Sequence, residues 1–292
     1  MNFFRHPATA LVAIAALTVP QLAAAAPRAW LLPSDTNFNG AGESWVTVDA
    51  AISTDLYYPD HPGQPWAPIA YAPNGSTVEV ANLNKGRLRL TFDLQLTLQG
   101  TYKLAVVSNG MMGSYMLGGE RKMLPRGTTA ETLAQAIPEG ATDVWTAENS
   151  MRIETFVTKG VPTDTVFKPV GKGIEMVPVS HPTDLAVDQP ATFQFLLDGK
   201  PAAGIAVSAI NGGVRYSKAL QQLELKADAA GKVTIKWPGA GMWWVSASIG
   251  GRPSGPPPAA GAAPAAQAEG PRPPMGPPQR RASYAMTVEV LG

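Results

Sequence analysis

The chain has 292 residues, of which 45% are hydrophobic and only 15% charged, and its formal net charge is +1. Nucleic-acid binding draws on an excess of basic residues, so this balance argues against a nucleic-acid partner. The absence of cysteine excludes disulfides and thiolate metal sites, and only three histidines are present. Gly and Pro contribute 29 and 28 residues, a composition that disfavours long helices and favours strands joined by turns.

Residues 1–25 have the layout of a secretory signal peptide. Arg5 supplies a positive charge, residues 8–19 form an apolar run, and small residues follow at 23–26. The run is shorter than the ~20 apolar residues that a transmembrane helix requires. Cleavage after Ala25 therefore fits better than a membrane anchor. We expect an exported protein, in the periplasm or secreted, whose mature chain has no transmembrane span.

Residues 26–172 predict a β-sandwich-like domain, because short alternating or apolar runs are separated by turn residues. The run RLRLTFDLQL, residues 87–96, alternates polar and apolar side chains as a half-exposed antiparallel strand does. Thr128 and Glu131 form a capping-box pattern, which predicts one short helix of about three turns before Pro138. The predicted strands are 29–32, 44–51, 77–82, 87–94, 100–108, 114–117 and 151–158, with a turn at Asn109-Gly110.

Residues 173–292 predict a second sandwich of immunoglobulin-like type, here without a cysteine pair. Residues 250–281 are rich in Pro, Gly and Ala and contain no Val, Ile or Leu. We therefore expect a disordered loop, inserted before the last strand; a Pro-rich ligand for a partner domain is the alternative. The fold prediction is all-β, with two β-sandwich domains. The predicted strands of the second are 174–179, 191–197, 205–210, 223–227, 233–237, 243–249 and 283–290.

Two groups of large side chains have alternative interpretations. Trp237, Trp243 and Trp244 are expected in the core or on a sheet surface, and a carbohydrate platform of aromatic rings is the alternative. Thioethers prefer Cu(I), so a cluster of methionines in an exported protein raises a copper hypothesis. The favoured interpretation is that these side chains fill the core. The methionines concerned are Met111, Met112, Met116 and Met123.

The segment DLYYPDH, with Asp55, Asp60 and His61, is the main candidate for a metal site. Carboxylate and imidazole ligands suit nickel, cobalt, zinc or copper, and Asp49 on the preceding strand would be a further ligand. The alternative is a polar loop histidine without metal, since a metal site needs three or more convergent ligands. The candidate metal ligands are therefore Asp60 and His61.

The sequence contains no motif of a nucleophile elbow, a zinc-protease helix, a phosphate-binding loop or a calcium loop. The sequence therefore predicts a protein that is not an enzyme.

His181, followed by Asp184, is a second and weaker metal candidate, and we expect it in a turn after the first strand of the second sandwich.

Several segments of the mature chain resemble an exported, NikM-like domain family of unknown function. They include RAWLLPS, WVTVDAAISTDLYYPDH, RIETFVTKGVPTD, KPVGKGIEMVPVSHPTDL and FQFLLDGKPAAGIAVSA. Members of this family are described as periplasmic components of a cobalt or nickel transport system. The resemblance implies a two-domain β protein with a divalent nickel or cobalt ion as its ligand. It also implies a metal transporter or another envelope protein as partner, and it extends metal binding to Asp60 and His61 alone.

Three classes of function follow from these observations. The first is a non-enzymatic periplasmic binding or accessory protein for the uptake of a transition metal. The second is a cell-envelope module that contacts a protein or a glycan without metal. The third, ranked last, is a hydrolase with an unrecognised pair of carboxylates.

Overall fold

A computed structural model describes residues 27–40, 42–213, 222–250 and 279–292. Strands make up 55% of the structure and helices 4%, which confirms the all-β prediction. The predicted signal peptide and residues 251–278 of the predicted Pro-rich loop lie outside the described residues. None of the helices in the described part of the chain has the length and apolar character that a membrane crossing requires.

The strands are numbered in chain order. Up to the end of the first sandwich they are β1 Arg28–Pro33, β2 Asn37–Phe38, β3 Trp45–Ser53, β4 Pro68–Tyr71, β5 Thr77–Val78, β6 Ala81–Lys85, β7 Arg89–Gln95, β8 Gly100–Leu117, β9 Glu120–Met123 and β10 Thr142–Lys159. The later strands are β11 Ile174–Pro178, β12 Ala191–Leu197, β13 Lys200–Pro201, β14 Ala206–Asn211, β15 Gln222–Lys226, β16 Lys232–Ile235, β17 Gly241–Ile249 and β18 Gln279–Val290. The helical elements are α1 Leu133–Ala136 and a 3₁₀ helix at Thr165–Phe167.

The first hydrophobic core lies between two sheets. A four-stranded sheet in the order β1-β3-β7-β6 packs against the β10-β8-β4-β5 part of a ten-stranded sheet. Strand alternation selects the buried side chains: Phe92 and Leu94 of β7 and Tyr102 and Leu104 of β8 are at most 1% exposed. Full burial of each such side chain contributes about 1.5–3 kcal/mol. Residues 89–96 of the alternating run therefore have one buried apolar face, as predicted, whereas Leu88 is exposed.

The second hydrophobic core lies between the rest of the ten-stranded sheet and a smaller sheet. Strands β15-β14-β17-β18 pack against the four-stranded sheet of β11, β12, β13 and β16, and two packed antiparallel sheets are the architecture of immunoglobulin-like sandwiches. Phe193 and Phe195 of β12 contribute to this core. Trp237 and Trp243 also lie in it, 3% and 0% exposed, with ring centroids 5.3 Å apart. They are core residues, as expected, and do not form an open carbohydrate platform.

The last strand joins the two sandwiches. β18 pairs antiparallel with β17 and also parallel with β10, from Ala147–Gln279 to Thr155–Thr287. The sandwiches consequently share one sheet, in the order β15-β14-β17-β18-β10-β8-β4-β5. Sequence patterns did not indicate this parallel pairing, because its partners are far apart along the chain.

The turn predicted at Asn109-Gly110 is wrong, because β8 runs through it without interruption. Gly110 lies opposite Asn149 of β10, and a Cβ at Gly110 would come within 2.9 Å of the carbonyl oxygen of Thr128. The amide of Met111 donates a hydrogen bond to the same oxygen at 2.7 Å. Gly110 therefore does not form a turn; its missing side chain allows the backbone at Thr128 to approach the strand closely.

The prediction of a three-turn helix is also wrong. α1 has one turn, and its N-cap is Thr132, without a hydrogen bond from the side chain. Thr128 donates its hydroxyl to the carbonyl oxygen of Pro125 at 2.7 Å, so the predicted capping box with Glu131 does not form. The Thr128 hydroxyl thus stabilises a local turn and does not cap the helix.

The methionines do not fill the core, which contradicts the favoured interpretation. Met123 is 66% exposed, and Met111, Met112 and Met116 are half-buried. β8 and β9 form a hairpin in which Ser114 lies opposite Met123. This hairpin continues beyond the residues of β8 that enter the first core, so its side chains are only partly covered.

Candidate ligand-binding cleft

Charged side chains lie on the face of the ten-stranded sheet that points away from the first core. Because side chains alternate along a strand, Lys103 of β8 points opposite to its core neighbour Tyr102. Arg152 and Glu154 of β10 likewise flank the core residue Ile153. They are nevertheless buried, with exposures of 9% for Lys103, 8% for Arg152 and 4% for Glu154. Both faces of the sheet are therefore covered here.

These residues form a buried ion cluster, which consists of Lys103, Arg152, Glu154, Glu175 and Tyr284. Glu154 lies 3.2 Å from Nη1 of Arg152 and 4.0 Å from Nζ of Lys103, and the Tyr284 hydroxyl donates to it at 2.9 Å. Glu175 lies 3.8 Å from Nη2 of Arg152. Burial and the Glu154 carboxylate raise the pKa of the Tyr284 hydroxyl well above its ordinary value. Buried charges are tolerated only when they are paired in this way.

The covering element is the connecting segment, residues 160–173, which leads from β10 to β11. Glu175 holds it in place, since its two carboxylate oxygens accept hydrogen bonds from the amides of Val170 at 2.8 Å and Gly171 at 2.7 Å. The ion cluster thus fixes the segment above the sheet.

A cleft of about 520 Å³ lies between this sheet face and the connecting segment. Its volume is within the ~300–1,000 Å³ range of small-ligand sites. Four cationic side chains line it: Lys103, Arg152, Lys168 and Lys172. Among the described residues no Asp or Glu lines it, and Glu154 and Glu175 lie behind, in a small adjoining cavity. The cleft is therefore a cation-lined site built from β4, β8, β10 and the connecting segment.

The structure places the predicted metal ligands Asp60 and His61 elsewhere, in the loop after β3. Nδ1 of His61 is 2.5 Å from Oδ1 of Asp60, whose carboxylate also accepts from the Thr54 amide at 3.1 and 3.2 Å. Partial burial acts to raise the pKa of Asp60, but these hydrogen bonds together hold it below its ordinary value. Among the described residues no group of three potential His, Cys, Asp or Glu ligands occurs. Asp49 instead contacts Arg89 at 3.3 Å.

His181 lies in the turn after β11, as expected. Its Nε2 is 3.1 Å from the hydroxyl of Thr101, and its Nδ1 is 3.1 Å from the hydroxyl of Thr183. Its ring packs edge-on against Phe167 at 5.4 Å, and burial lowers the pKa of the imidazole. Both ring nitrogens of His181 therefore have hydrogen-bond partners, one from each half of the chain, and its role is structural.

Sequence reasoning missed the residues of the cleft. Arg152 and Glu154 alternate with apolar residues in RIETFVTK, a pattern that indicates a solvated strand face. Lys168 and Lys172 lie in KPVGKG, which belongs to the segments that carry the family resemblance. A charge pattern within one strand contains no information on what covers its polar face.

Two β-sandwiches that share one sheet, with a cation-lined cleft beside their connecting segment, define an all-β protein with a candidate ligand site. The profile of the family described as "Domain of unknown function (DUF4198)" matches residues 24–251, and the chain belongs to this family. No curated protein matches the chain. The crystal structure of a DUF4785 family protein from Legionella pneumophila subsp. pneumophila str. Philadelphia 1 is similar, with 9% identity and a TM-score of 0.24. The similarity covers 74% of this chain and 50% of that chain, so the match spans half of that protein.

Proposed function

We propose that the protein is a non-enzymatic binding protein, exported to the periplasm, whose ligand occupies the cleft. The observation that supports this most is the convergence of Lys103, Arg152, Lys168 and Lys172 on one cavity. Small ligands bind in preformed concave sites with a few placed polar groups. The ion cluster and the shared sheet supply such a preformed frame.

A substitution that fills the cleft tests this proposal. Val107 is half-buried and lines the cavity, so Val107→Trp should occupy its volume. We expect thermal-shift screening of the mature protein against neutral, anionic and cationic metabolites to find ligands whose stabilisation Val107→Trp abolishes. Val179→Trp, at a position 61% exposed and outside the cleft lining, is the control. Ligands that stabilise the wild type and Val107→Trp equally would contradict a site in this cleft.

The resemblance supports a second candidate, the handling of divalent nickel or cobalt at Asp60 and His61. The observation in its favour is the direct contact of imidazole and carboxylate, with side chains that are 35% and 44% exposed. Water would complete the coordination of the ion, and a metal transporter or another envelope protein would then receive it. The alternative without metal is a module that contacts a protein or glycan of the envelope.

A further inference from the structure

The cleft and the wall behind it carry more positive than negative charge. Four cations line the cavity, and the two carboxylates behind it contact the two buried cations. Lys168 and Lys172, by contrast, stand at the exposed rim on the connecting segment. Glu131 and Glu148 line a neighbouring cavity together with Lys172, but both are exposed and screened by solvent, and Glu148 also contacts Arg280. Two positive charges therefore face the cleft without a partner in the ion cluster.

Two asparagines of the cleft already use their side-chain oxygens as acceptors within the protein. The side-chain oxygen of Asn74 accepts from the amide and the hydroxyl of Ser76, at 3.0 and 2.7 Å. The side-chain oxygen of Asn109 accepts from the Ser150 hydroxyl at 2.8 Å. In both residues the amide nitrogen is thus the group left to donate toward a ligand.

Arg152 adds a buried positive charge to the wall of the cleft. Its Nη1 and Nη2 contact Glu154 and Glu175. Its Nε–H is enclosed by protein and has no acceptor among the residues that the structure describes, so Arg152 acts on the cleft through its charge. The positive charge of the cleft and its hydrogen-bond donors therefore both favour a ligand that is rich in acceptor oxygens.

Most of the rest of the lining is apolar, and Thr165 adds one hydroxyl group. Ile69, Val107, Val166 and Val170 line the cavity, together with the ring of Tyr71, whose face lies 4.9 Å from Nζ of Lys103. A small inorganic anion would leave these side chains uncovered in a cavity of about 520 Å³. An organic body of one ring or a short chain would cover them.

We propose that the ligand of this cleft is a small organic dianion, with two carboxylate charges or one phosphate on an apolar body. This inference rests on the proposed function and specifies its ligand class. The rim lysines would neutralise the ligand's charge, the asparagine amide groups would donate to its oxygens, and the apolar side chains would pack against its body.

Titration calorimetry of the mature protein tests the charge requirement with molecules of similar size. The probes are phthalate and phenyl phosphate as dianions, benzoate as a monoanion, benzamide as a neutral analogue, and xylylenediamine as a dication. We expect at least one dianion to bind the protein with a dissociation constant below about 1 mM. Benzoate should bind the protein about tenfold more weakly than that dianion. The affinity should fall as salt is added. Phthalate and phenyl phosphate distinguish a carboxylate from a phosphate ligand.

Variants locate the interaction. Lys168→Gln with Lys172→Gln should weaken dianion binding about tenfold, since two charge contacts are lost. The matched control, Lys232→Gln with Lys236→Gln, removes the same charge from exposed positions of the second sandwich and should leave the affinity unchanged. Asn109→Asp, at an exposed position of β8, places a carboxylate in the cleft and should abolish dianion binding.

The outcomes separate the two proposals. If a neutral or cationic compound binds and Val107→Trp abolishes that binding, the dianion inference is overturned while the binding function of the cleft stands. If a dianion binds equally to the wild type, the rim variant and Asn109→Asp, its site is elsewhere and the inference is overturned. If neither the probes nor the screened compounds bind in the cleft, both proposals fail.

Discussion

Neighbouring residues of one strand serve different parts of this molecule. Tyr102 is fully buried in the first core, whereas the next residue, Lys103, turns to the ion cluster on the other face. On β18, Ala285 belongs to the first core and Met286 to the second. Removing one partner from a buried ion pair leaves an unpaired charge, at a cost of about 3–5 kcal/mol. The cluster therefore constrains each of its members tightly, which preserves the geometry of the cleft.

The second candidate function gives a prediction about single residues. If Asp60 and His61 handle metal, calorimetric titration of the mature protein with nickel, cobalt, copper and zinc chloride should show binding at about 1 μM or tighter. His61→Ala should abolish it, because imidazole is the preferred ligand for these ions among the groups present. Asp49→Asn is the matched control, since that carboxylate contacts Arg89 instead. Lack of binding by all four metals would refute this candidate and favour the envelope-interaction alternative.

At the scale of elements, β8 and β10 are the long strands that connect the parts of the fold. Each has 18 residues, and together they pair from Thr142–Met116 to Lys159–Gly100. One end of the pair contributes to the first core, and the other carries the hairpin with β9. The cleft lies along their polar face, so two of its cations, Lys103 and Arg152, are positioned by strands, whereas Lys168 and Lys172 lie on the connecting segment.

The chain between β17 and β18 gives a prediction about one connection. These strands are antiparallel neighbours, with Ile249 opposite Ala282, so a short turn can join them. Replacing residues 253–276 by a short Gly-Ser turn should change the free energy of unfolding by less than about 1 kcal/mol, since loop closure costs only ~0.6 kcal/mol per doubling of length. Urea denaturation measures this. Truncation after residue 250, which removes β18, is the comparison and should prevent folding; a loss of several kcal/mol in the turn variant would contradict the prediction.

At the scale of the whole molecule, the shared sheet should make the two sandwiches one cooperative unit. β10 and β18 each contribute to both cores, as Phe156 and Val157 show on β10. Loss of either core therefore removes partners from the other.

Cooperativity can be measured with a substitution in the second core. Phe193 is fully buried, so Phe193→Ala should cost about 3–5 kcal/mol. We expect hydrogen exchange to show the same loss of protection in β7 of the first sandwich as in β12 of the second, with a single calorimetric transition. Val179→Ala, at an exposed position, should change neither. Loss of protection confined to β12 would show that the sandwiches unfold independently.

Much of the fold follows from local patterns. The alternation in residues 87–96 identifies the buried face of β7, and the seven predicted strands of the second sandwich correspond to β11, β12 and β14–β18, with ends that differ by a few residues. The predictions of a turn at Asn109-Gly110 and of a three-turn helix were wrong, because glycine and threonine also have roles outside turns and helix caps. Gly110 allows backbone to approach, and Thr128 bonds to Pro125.

The candidate site could not be predicted in the same way. Asp60 and His61 are adjacent in the sequence and do contact each other, but no third ligand joins them among the described residues. The cations of the cleft come from β8, β10 and the connecting segment, and their spacing along the chain does not indicate that they meet.

The sequence by itself determined the all-β class and the core-facing side of strands such as β7, because the two-residue period of a strand is a property of consecutive residues. Only the tertiary structure decided that β18 pairs with β10 and that the polar face of β8 and β10 is buried. It also decided that Glu154 meets Tyr284, a residue 130 positions further along the chain. Such contacts depend on how whole sheets pack, and alternation within a strand is the same whether its polar face meets solvent, an ion cluster or a ligand.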